Sequence, residues 1–277
     1  MARLAPEGDS VPLPAVVARL AAHSSLPPPG DRIAAAQPPL ELPEIIRLES
    51  VDSTQRHARE LADDGAVDGT VVTAETQTAG RGRRGRVWKD VPGASVLMSV
   101  ILRTSLPAAR VATLSIAAGV AVAEALREVA GIDARLKWPN DVLVDGRKVA
   151  GVLLERHGDV VILGIGINVT RDAVPPDIDA HATSIARARR DASVDREAVL
   201  LAVVDSVARW RGMLEREGFE PVRTRWTALA AMLGRRVTVD GVAGIARGLD
   251  VDGALLIESE KPSADREVTR VVAGDVA

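Results

Sequence analysis

The 277 residues, with a mass of 29.2 kDa, allow one large domain and a small one, and a hydrophobic content of 47% excludes a globally disordered chain. The formal net charge of −3 does not favour nucleic acid as the main partner. The absence of cysteine excludes disulfides, thiol catalysis and cysteine-based zinc sites, and four scattered histidines argue against a histidine-based metal cluster.

Neither a secretory signal nor a membrane-spanning segment is visible in the sequence. Met1–Ser10 lacks an apolar core, and the longest apolar stretch, Ile116–Ala123, is far shorter than the ~20 residues of a membrane helix. We therefore expect a cytoplasmic protein with no membrane partner. Prolines interrupt residues 1–44, which we interpret as an extension with one short helix at Pro14–Ala22.

From Ile45 onward the sequence alternates between helical and strand-like periodicity. Ser53 stands where it can cap a helix, and Gly131 stands where it can end one. Asp145-Gly146 lies between two apolar runs and predicts a hairpin, because both residues tolerate a type I′ turn. The predicted elements are, in chain order, a helix from Ser53 to about Asp63, strands at Val71–Glu75 and Ser95–Leu102, a helix from Val111 to Val129, strands at Val142–Val144, Lys148–Glu155 and Val160–Val169, a loop at Ala173–Ser193, and helices at Asp195–Glu217 and about Val222–Leu233.

The last stretch, Gly234–Ala277, changes to the period-two pattern of short strands. Asp240-Gly241 and Asp252-Gly253 mark turns between these strands. The pattern predicts a small barrel that is too small to be autonomous and therefore packs on the larger part of the chain. The predicted strands are Val237–Val239, Ile245–Arg247, Ala254–Glu258 and Glu267–Val272. The predicted divisions are an N-terminal extension at 1–44, a large domain at 45–233 and a small C-terminal domain at 234–277.

Between the first two predicted strands lies a Gly/Arg loop, Gly80–Arg86, that literally satisfies GxGxxG. A dinucleotide fingerprint requires a helix that starts within the glycines, whereas residues 86–93 have no helical period. The Rossmann interpretation therefore fails. Three interpretations stay open for the loop taken alone: a solvated basic loop, a nucleic-acid patch, and a phosphate clamp that closes over an anion.

Four segments, in a fixed order, resemble the motifs of biotin–protein ligases. ETQTAGRGRRGRVW at 75–88 resembles the family's signature loop, and KWPND at 137–141 resembles its KWPND segment. KVAGVLLE at 148–155 is similar to its KxxGxLxE strand, and GIGINV at 164–169 is similar to its GxGxN element. Four matches at compatible spacings are far more specific than any one of them. The resemblance extends over residues 45–277, with the motifs confined to 53–169.

This resemblance implies an α+β fold, in which a mixed-sheet catalytic domain like the class II synthetase core precedes a small SH3-like β-barrel. It also implies a ligase with ATP and Mg²⁺ as co-substrates and without a tightly bound cofactor. Biotin and ATP would form biotinyl-5′-AMP, and the adenylate would then acylate a lysine of a biotin carboxyl carrier protein, a carboxylase subunit. The sequence leaves open which subunit accepts biotin, and whether the chain is a monomer or a homodimer.

Residue by residue, the resemblance implies a site with fixed positive charge and with uncharged hydrogen-bonding groups. Attack of a carboxylate on an α-phosphate brings two anions together, so cationic side chains suit it. A ureido group has two donors and one acceptor, so hydroxyls and amides suit it. The implied catalytic residues are Lys148 and Arg83. The implied biotin and adenylate contacts are Ser53, Thr54, Gln55, Gln77, Gly80, Arg81, Gly82, Arg83, Lys148 and Gly151. The implied nucleotide contacts are Arg84, Asn140, Asp141 and Asn168, with Asp141 as a candidate Mg²⁺ ligand.

Several of these positions have simpler interpretations. Ser53 as a helix cap, Asp141 as a turn cap and Trp88 as a packing residue are alternatives that the sequence leaves open. The family's Ser-Thr-Asn ends here in Gln55, so the third contact is not assured. The adenine-covering loop expected within 173–193 contains no aromatic residue.

Two rival functions are weighed at this stage. A repressor that also ligates biotin carries a winged helix-turn-helix, but residues 1–44 are too short and too proline-broken for one, so we expect no nucleic-acid partner. A lipoate–protein ligase shares the fold and the adenylation chemistry. The Gly/Arg loop and the KWPND segment favour biotin over lipoate, and a buried ureido site would discriminate strongly between them.

Overall fold

The computed structural model describes residues 3–4, 43–190, 193–260 and 267–276. The helix predicted at Pro14–Ala22 and most of the predicted extension lie outside the described residues. The strands are β1 (Arg3–Leu4), β2 (Ile45–Val51), β3 (Val71–Gln77), β4 (Ser95–Arg103), β5 (Arg135–Lys137), β6 (Asp141–Val144), β7 (Arg147–His157), β8 (Val160–Asn168), β9 (Arg236–Val239), β10 (Val242–Leu249), β11 (Leu255–Glu258) and β12 (Val268–Val271). The helices are α1 (Thr54–Asp63), α2 (Thr113–Ala130), α3 (Ile185–Arg189), α4 (Arg196–Glu217) and α5 (Glu220–Leu229), with 3-10 helices at Arg83–Gly85, Ala108–Arg110 and Pro176–Ile178.

A mixed sheet forms the larger part of the chain, which confirms the α+β prediction. Its eight described strands run in the order β1-β2-β3-β4-β8-β7-β6-β5. Neighbouring strands are antiparallel except β2 and β3, which run parallel with α1 between them in the sequence. The register sets Ser99 of β4 opposite Gly164 of β8, and Gly166 of β8 opposite Gly151 of β7. These four residues therefore share one face of the sheet.

The two faces of β8 differ because successive side chains point to opposite sides of a strand. Leu163, Ile165 and Ile167 point to one side and pack with α2 and α4 in the main core. Ile162 points to the other side and belongs to a smaller core with α1. Glycines occupy the next two positions on that second side, so the sheet surface stays open there. This opening becomes the candidate site.

Helix α2 lies at the centre of the main core, where it packs against α4. The helical segment Ala108–Ala130 is long and apolar enough to cross a membrane, but 72% of its apolar window is buried inside the protein. Its apolar character therefore follows from its place in the core. Gly131 ends the helix with a φ of 62°, the left-handed conformation that glycine adopts readily.

The predicted Asp-Gly turns are confirmed. Asp145 and Gly146 have φ angles of 50° and 76° and join β6 to β7. Asp240 and Gly241, with φ angles of 45° and 88°, join β9 to β10 in the same way. Because a two-residue turn fixes the pairing of its flanking strands, the first turn determines the register of the strand that carries Lys148.

The C-terminal strands form a second sheet in the order β12-β11-β10-β9, with all neighbours antiparallel. Leu249, Leu255 and Ile257 of this sheet belong to the main core. The indole Nε1 of Trp138 donates a hydrogen bond of 3.0 Å to the carbonyl of Gly253, between β10 and β11. The small sheet therefore packs on the larger part of the chain, as its size predicts.

Some predicted boundaries differ from the structure. Ala173–Ser193, predicted as a loop, contains a 3-10 helix and α3, of which only Ile185 and Ala186 are buried. So short a helix shows no apolar period in the sequence. The helix predicted at Val222–Leu233 ends at Leu229. Strands β1, β2 and β5 are not among the predicted elements, and β5 has only three residues.

We expect Asp195→Ala to lower the free energy of unfolding by about 1 kcal/mol. Asp195 caps α4, since its Oδ1 accepts the backbone N–H groups of Glu197 at 2.9 Å and Ala198 at 3.2 Å. Urea denaturation at neutral pH measures the change. Asp205→Ala is the control, because this exposed residue of α4 pairs with Arg209 one turn further on and contributes about 0.5 kcal/mol or less. Equal losses in the two variants would contradict the capping role.

Candidate active site

Glycines form the floor of the candidate site. Gly166 of β8 lies opposite Gly151 of β7, and the indole ring of Trp88 lies over both. A Cβ atom on Gly166 would come within 2.6 Å of the ring, and one on Gly151 within 3.2 Å. The close approach of the ring therefore requires glycine at Gly166, whereas a Cβ atom on Gly151 would first meet the end of the Lys148 side chain, at 2.9 Å. Trp88 is a packing residue, but one that packs inside the cleft.

A cleft with a cavity volume of about 150 Å³ lies above this floor. The chemistry of its lining, with convergent polar and charged groups beside an apolar ring, marks it as the candidate site. Residues from β7, β8, α1, the Gly/Arg loop and the start of β6 line it together. The predicted site residues among them are Ser53, Thr54, Gln55, Gln77, Arg81, Gly82, Arg83, Asn140, Asp141, Lys148 and Gly151.

One end of the cleft presents uncharged polar groups joined in a network. The backbone N–H of Thr54 donates to Oε1 of Gln77 at 2.8 Å, and the Thr54 hydroxyl lies 2.9 Å from the Ser99 hydroxyl. Ser99 donates to Oε1 of Gln55 at 3.1 Å, and Nε2 of Gln55 donates to the carbonyl of Ile162 at 2.9 Å. Three predicted site residues are thus oriented by one continuous set of hydrogen bonds.

Ser53 lies at the N-cap position of α1, yet its side chain makes no capping hydrogen bond. Its Oγ is buried and has no partner among the residues that the structure describes. The Ser53 side chain therefore does not cap α1, and its hydroxyl, which lines the cleft, keeps its hydrogen-bonding capacity.

The other end of the cleft is charged. Nζ of Lys148 lies 2.6 Å from Oδ1 of Asp141 and 5.6 Å from the centre of the Trp88 ring. Nη1 of Arg83 donates to Oδ1 of Asn140 at 3.2 Å. The KWPND segment ends at the start of β6, next to the strand that carries Lys148, so its last two residues reach the same place.

The Gly/Arg loop is a short hairpin. Arg81 and Val87 form an antiparallel bridge, and the chain reverses at Arg84 and Gly85, whose φ angles are 54° and 73°. Only a single 3-10 turn occurs within the glycines. The exclusion of a Rossmann phosphate loop is therefore confirmed, because no α-helix begins within the glycines of this loop.

Each arginine of this loop is paired with a carboxylate. Burial in the cleft lowers the pKa of Arg83, whereas the hydrogen bond between Arg84 and Asp240 raises the pKa of the arginine and lowers that of the aspartate. Two of the three carboxylates belong to the C-terminal part of the chain, which therefore holds the loop in place. The pairs are Arg81 with Glu155 at 2.8 Å, Arg84 with Asp240 at 2.5 Å, Arg83 with Asp275 at 3.4 Å, and Arg86 with Asp275.

Three predicted site residues lie outside the lining of the cleft. Gly80 is at the base of the loop, where a Cβ atom would come within 2.6 Å of the Trp88 carbonyl. Asn168 is buried at the end of β8 and donates from Nδ2 to the carbonyl of Thr183 at 3.0 Å. The side chain of Arg84 pairs with Asp240 in the C-terminal part of the chain. Gly80 and Asn168 thus support the site from behind.

The structure also adds residues that the sequence analysis does not name. Gly166 has a visible signal, since two glycines alternate in an otherwise apolar strand. For Ser99, the only signal in the sequence is a serine within an apolar strand. Asp275 lines the cleft but has no signal, because the arginine it pairs with lies 192 residues earlier.

We expect Asp275→Asn to expose the Gly/Arg loop. Without this carboxylate, Arg83 and Arg86 lose their ion pair, and the like charges of the loop repel one another. Limited digestion with trypsin, which cuts after arginine, should cleave the loop at least about threefold faster than in the wild type. Asp250→Asn is the control, because Asp250 pairs with Arg270 elsewhere in the C-terminal part. Equal cleavage of all three proteins would show that the pair does not hold the loop.

Comparison with known proteins identifies relatives in sequence. Residues 48–172 match the biotin/lipoate A/B protein ligase family. The chain is 37% identical over 229 residues to the bifunctional ligase/repressor BirA of Bacillus spizizenii, a match that covers 78% of this chain and 70% of that protein. It is 38% identical over 223 residues to the biotin–[acetyl-CoA-carboxylase] ligase of Paracoccus denitrificans, covering 76% of this chain and 92% of that protein.

Comparison with solved structures identifies relatives of the same kind. The biotin protein ligase from Aquifex aeolicus in complex with biotin and ATP superposes with a TM-score of 0.76 at 31% sequence identity, covering 84% of this chain and 97% of that one. Relatives in sequence and in structure therefore agree with each other and with the motifs that line the cleft. On these grounds the chain belongs to the biotin protein ligase family.

Proposed function

We propose that this chain is a ligase that activates biotin with ATP to biotinyl-5′-AMP and transfers biotin to a lysine of a biotin carboxyl carrier protein, a subunit of an acetyl-CoA or acyl-CoA carboxylase. The order of chemistry along the cleft carries the proposal. Uncharged polar groups stand at one end, the Trp88 ring and its glycine floor in the middle, and Lys148 with Arg83 at the other end. Biotin has the same order of ureido ring, apolar sulfur ring and carboxylate.

The polar end suits the ureido ring. The N–H of Thr54 fixes Oε1 of Gln77, so Nε2 of that amide is left to donate to the ureido carbonyl. The unpartnered hydroxyl of Ser53 offers one more hydrogen bond. The Trp88 ring offers the apolar contact that the sulfur ring requires. Gln55 is the exception among the predicted contacts, because both ends of its amide already have partners.

The charged end suits adenylation. A carboxylate oxygen of biotin attacks the α-phosphorus of ATP, the bond to the β-phosphate breaks, and pyrophosphate leaves. Lys148 and Arg83 offset the repulsion between the two reacting anions. Before the substrates bind, the ion pair with Asp141 holds the Lys148 ammonium at the cleft. Because Lys148 also lies over the Trp88 ring, its cation is directed towards the end of the site where the biotin carboxylate arrives.

The second step is an acyl transfer. The neutral amine of a carrier lysine attacks the acyl carbon of the adenylate, an amide bond forms, AMP leaves with the bonding electrons, and the amine loses a proton. The mixed anhydride survives until then if water is kept away from it. Arg81 and Gly82 of the Gly/Arg loop line the cleft on the side where the adenylate would lie, and we propose that this loop shields the adenylate from water.

The nucleotide contacts are proposed from the resemblance. Asn140 and Asp141 line the cleft beside Arg83, whereas Arg84 and Asn168 must change partners to reach a nucleotide. Mg²⁺ enters with ATP as a co-substrate, and Asp141 is its candidate ligand. Among the described residues, no group of three or more His, Cys, Asp or Glu side chains is placed to hold a metal ion. One carboxylate together with phosphate oxygens and water is an ordinary ligand set for Mg²⁺.

The finer architecture belongs to the same proposal. We infer a catalytic domain at 45–233 and an SH3-like domain at 234–277, an inference supported by the separate four-stranded antiparallel sheet at the C-terminal end. The cytoplasmic location, the absence of a nucleic-acid partner, and a monomeric or homodimeric state stay predictions.

We expect biotin to support the exchange of labelled pyrophosphate into ATP, and lipoate to support it at least about 100-fold less well, because a site built to hydrogen-bond a ureido group rejects a ring that lacks one. The measurement is kcat/KM for each acid with the full chain and Mg²⁺. Biotin transfer to a carrier domain, followed by mass spectrometry, checks the second step. Exchange with lipoate but without biotin would overturn the assignment.

Lys148→Ala should lower kcat/KM for biotin-dependent exchange by about 100-fold or more, because a fixed charge next to the reacting anions is lost. Arg147→Ala is the matched control: the adjacent residue of β7 points to the opposite face and does not line the cleft. Thermal unfolding of both variants checks that the fold is retained. Near-normal exchange by Lys148→Ala would refute the role of this lysine.

A further inference from the structure

We propose that Ser99 and Gln55 are positioning residues that fix the direction of the Thr54 hydroxyl, so that Thr54 accepts an N–H group of the bound head group. The inference rests on the proposed function and deepens it. It names the class of head group that the polar end selects, and it assigns the selection to side chains that act through Thr54.

The direction of the hydrogen bonds in this network is set first at Gln55, which is buried in α1. The carbonyl of Ile162 can only accept a hydrogen bond, so the amide atom that lies 2.9 Å from it must be Nε2. The other end of this amide, Oε1, can only accept. The group that meets it is the Ser99 hydroxyl at 3.1 Å, on a residue that is 0% exposed. Because a buried amide oxygen without a donor is strongly disfavoured, the Ser99 proton is directed to Gln55.

A hydroxyl has only one proton to give. Since Ser99 gives its proton to Gln55, it must accept at its 2.9 Å contact with Thr54. Thr54 therefore donates its hydroxyl proton to Ser99. No proton is then left for the 3.1 Å contact between the Thr54 hydroxyl and Oε1 of Gln77. Oε1 of Gln77 is still satisfied by the backbone N–H of Thr54 at 2.8 Å. The Thr54 hydroxyl is left with lone pairs only for a ligand in the cleft.

A head group that meets Thr54 must therefore bring a donor. A cyclic urea does so, because each ring nitrogen carries an N–H group. Nε2 of Gln77 is the complementary donor for the carbonyl of the same urea. The dithiolane ring of lipoate has neither an N–H nor a carbonyl group. The buried pair Ser99 and Gln55 thus favours head groups with adjacent N–H and C=O groups over rings without donors.

The sheet leaves space for this arrangement. Ser99 lies opposite Gly164 across β4 and β8. A Cβ atom on Gly164 would come within 2.6 Å of Oε1 of Gln55, so any other residue would push the amide away from Ser99. The glycine therefore serves the hydrogen-bond network and not a turn.

The test is a double-mutant cycle on the KM for biotin in pyrophosphate exchange, with Ser99→Ala and Thr54→Val. In the wild-type background, Ser99→Ala should raise this KM about fivefold or more, with a smaller change in kcat and an unchanged KM for ATP. In the Thr54→Val background no hydroxyl is left to orient, so Ser99→Ala should change the KM by less than about twofold. Gln55→Met, which removes the amide at similar length, should show the same dependence on Thr54.

Ser95→Ala is the matched control. Ser95 lies on the same face of β4, is equally buried, and its Oγ has no partner among the described residues. This variant should leave the KM for biotin unchanged. Equal increases for Ser99→Ala in both backgrounds, or no increase in either, would overturn the positioning role. A wild-type protein without biotin-dependent exchange would instead overturn the proposed function itself, so the two failures are distinguishable.

Discussion

The contact between the Trp88 ring and the glycine floor is the constraint on which the rest of the site depends. Gly166 and Gly151 have no side chains, so the ring can lie directly on the sheet. Trp88 follows the Gly/Arg loop, and its backbone N–H donates to the carbonyl of Gly80 at 3.0 Å. This hydrogen bond closes the base of the loop. An apolar contact in the middle of the cleft therefore sets where the arginines stand. The same contact places the ring beneath the Lys148 ammonium.

The charges of the loop are balanced inside the molecule. Four arginines at close range repel one another, and each has a carboxylate partner that offsets this repulsion. Asp240 and Asp275 come from the C-terminal part, whose apolar residues are also continuous with the main core. The small sheet is thus attached to the larger part of the chain by buried apolar residues, and the C-terminal part contacts the site through the ion pairs of Asp240 and Asp275. These ion pairs explain how Asp275, which is far from the motifs in sequence, lines the cleft.

Local signals made much of the fold and part of the site predictable. Asp145-Gly146 determines its hairpin within two residues, and Gly131 ends its helix, because both depend only on backbone conformation nearby. Most of the predicted site residues line one cleft, whereas Gly80, Arg84 and Asn168 do not. The contacts of Ser99 and of Asp275 could not be predicted, because cross-strand register and long-range pairing are tertiary properties. The sequence left the cap open as an alternative role for Ser53, because a sequence shows the capping position but not whether the hydroxyl is used.

The departure at Gln55 shows how a changed motif residue can be absorbed by its surroundings. Glutamine carries its amide one methylene further than the asparagine of the family pattern. Here that amide reaches the carbonyl of Ile162 and occupies the space above Gly164, so both of its ends are satisfied by the protein. Each end of this amide already has one partner in the protein, so we propose that the third residue of the motif acts on the ligand through Ser99 and Thr54. In the proposed binding mode, Thr54, Gln77 and Ser53 recognise the head group, and the longer side chain of Gln55 contributes through Ser99 by fixing the direction of the Thr54 hydroxyl.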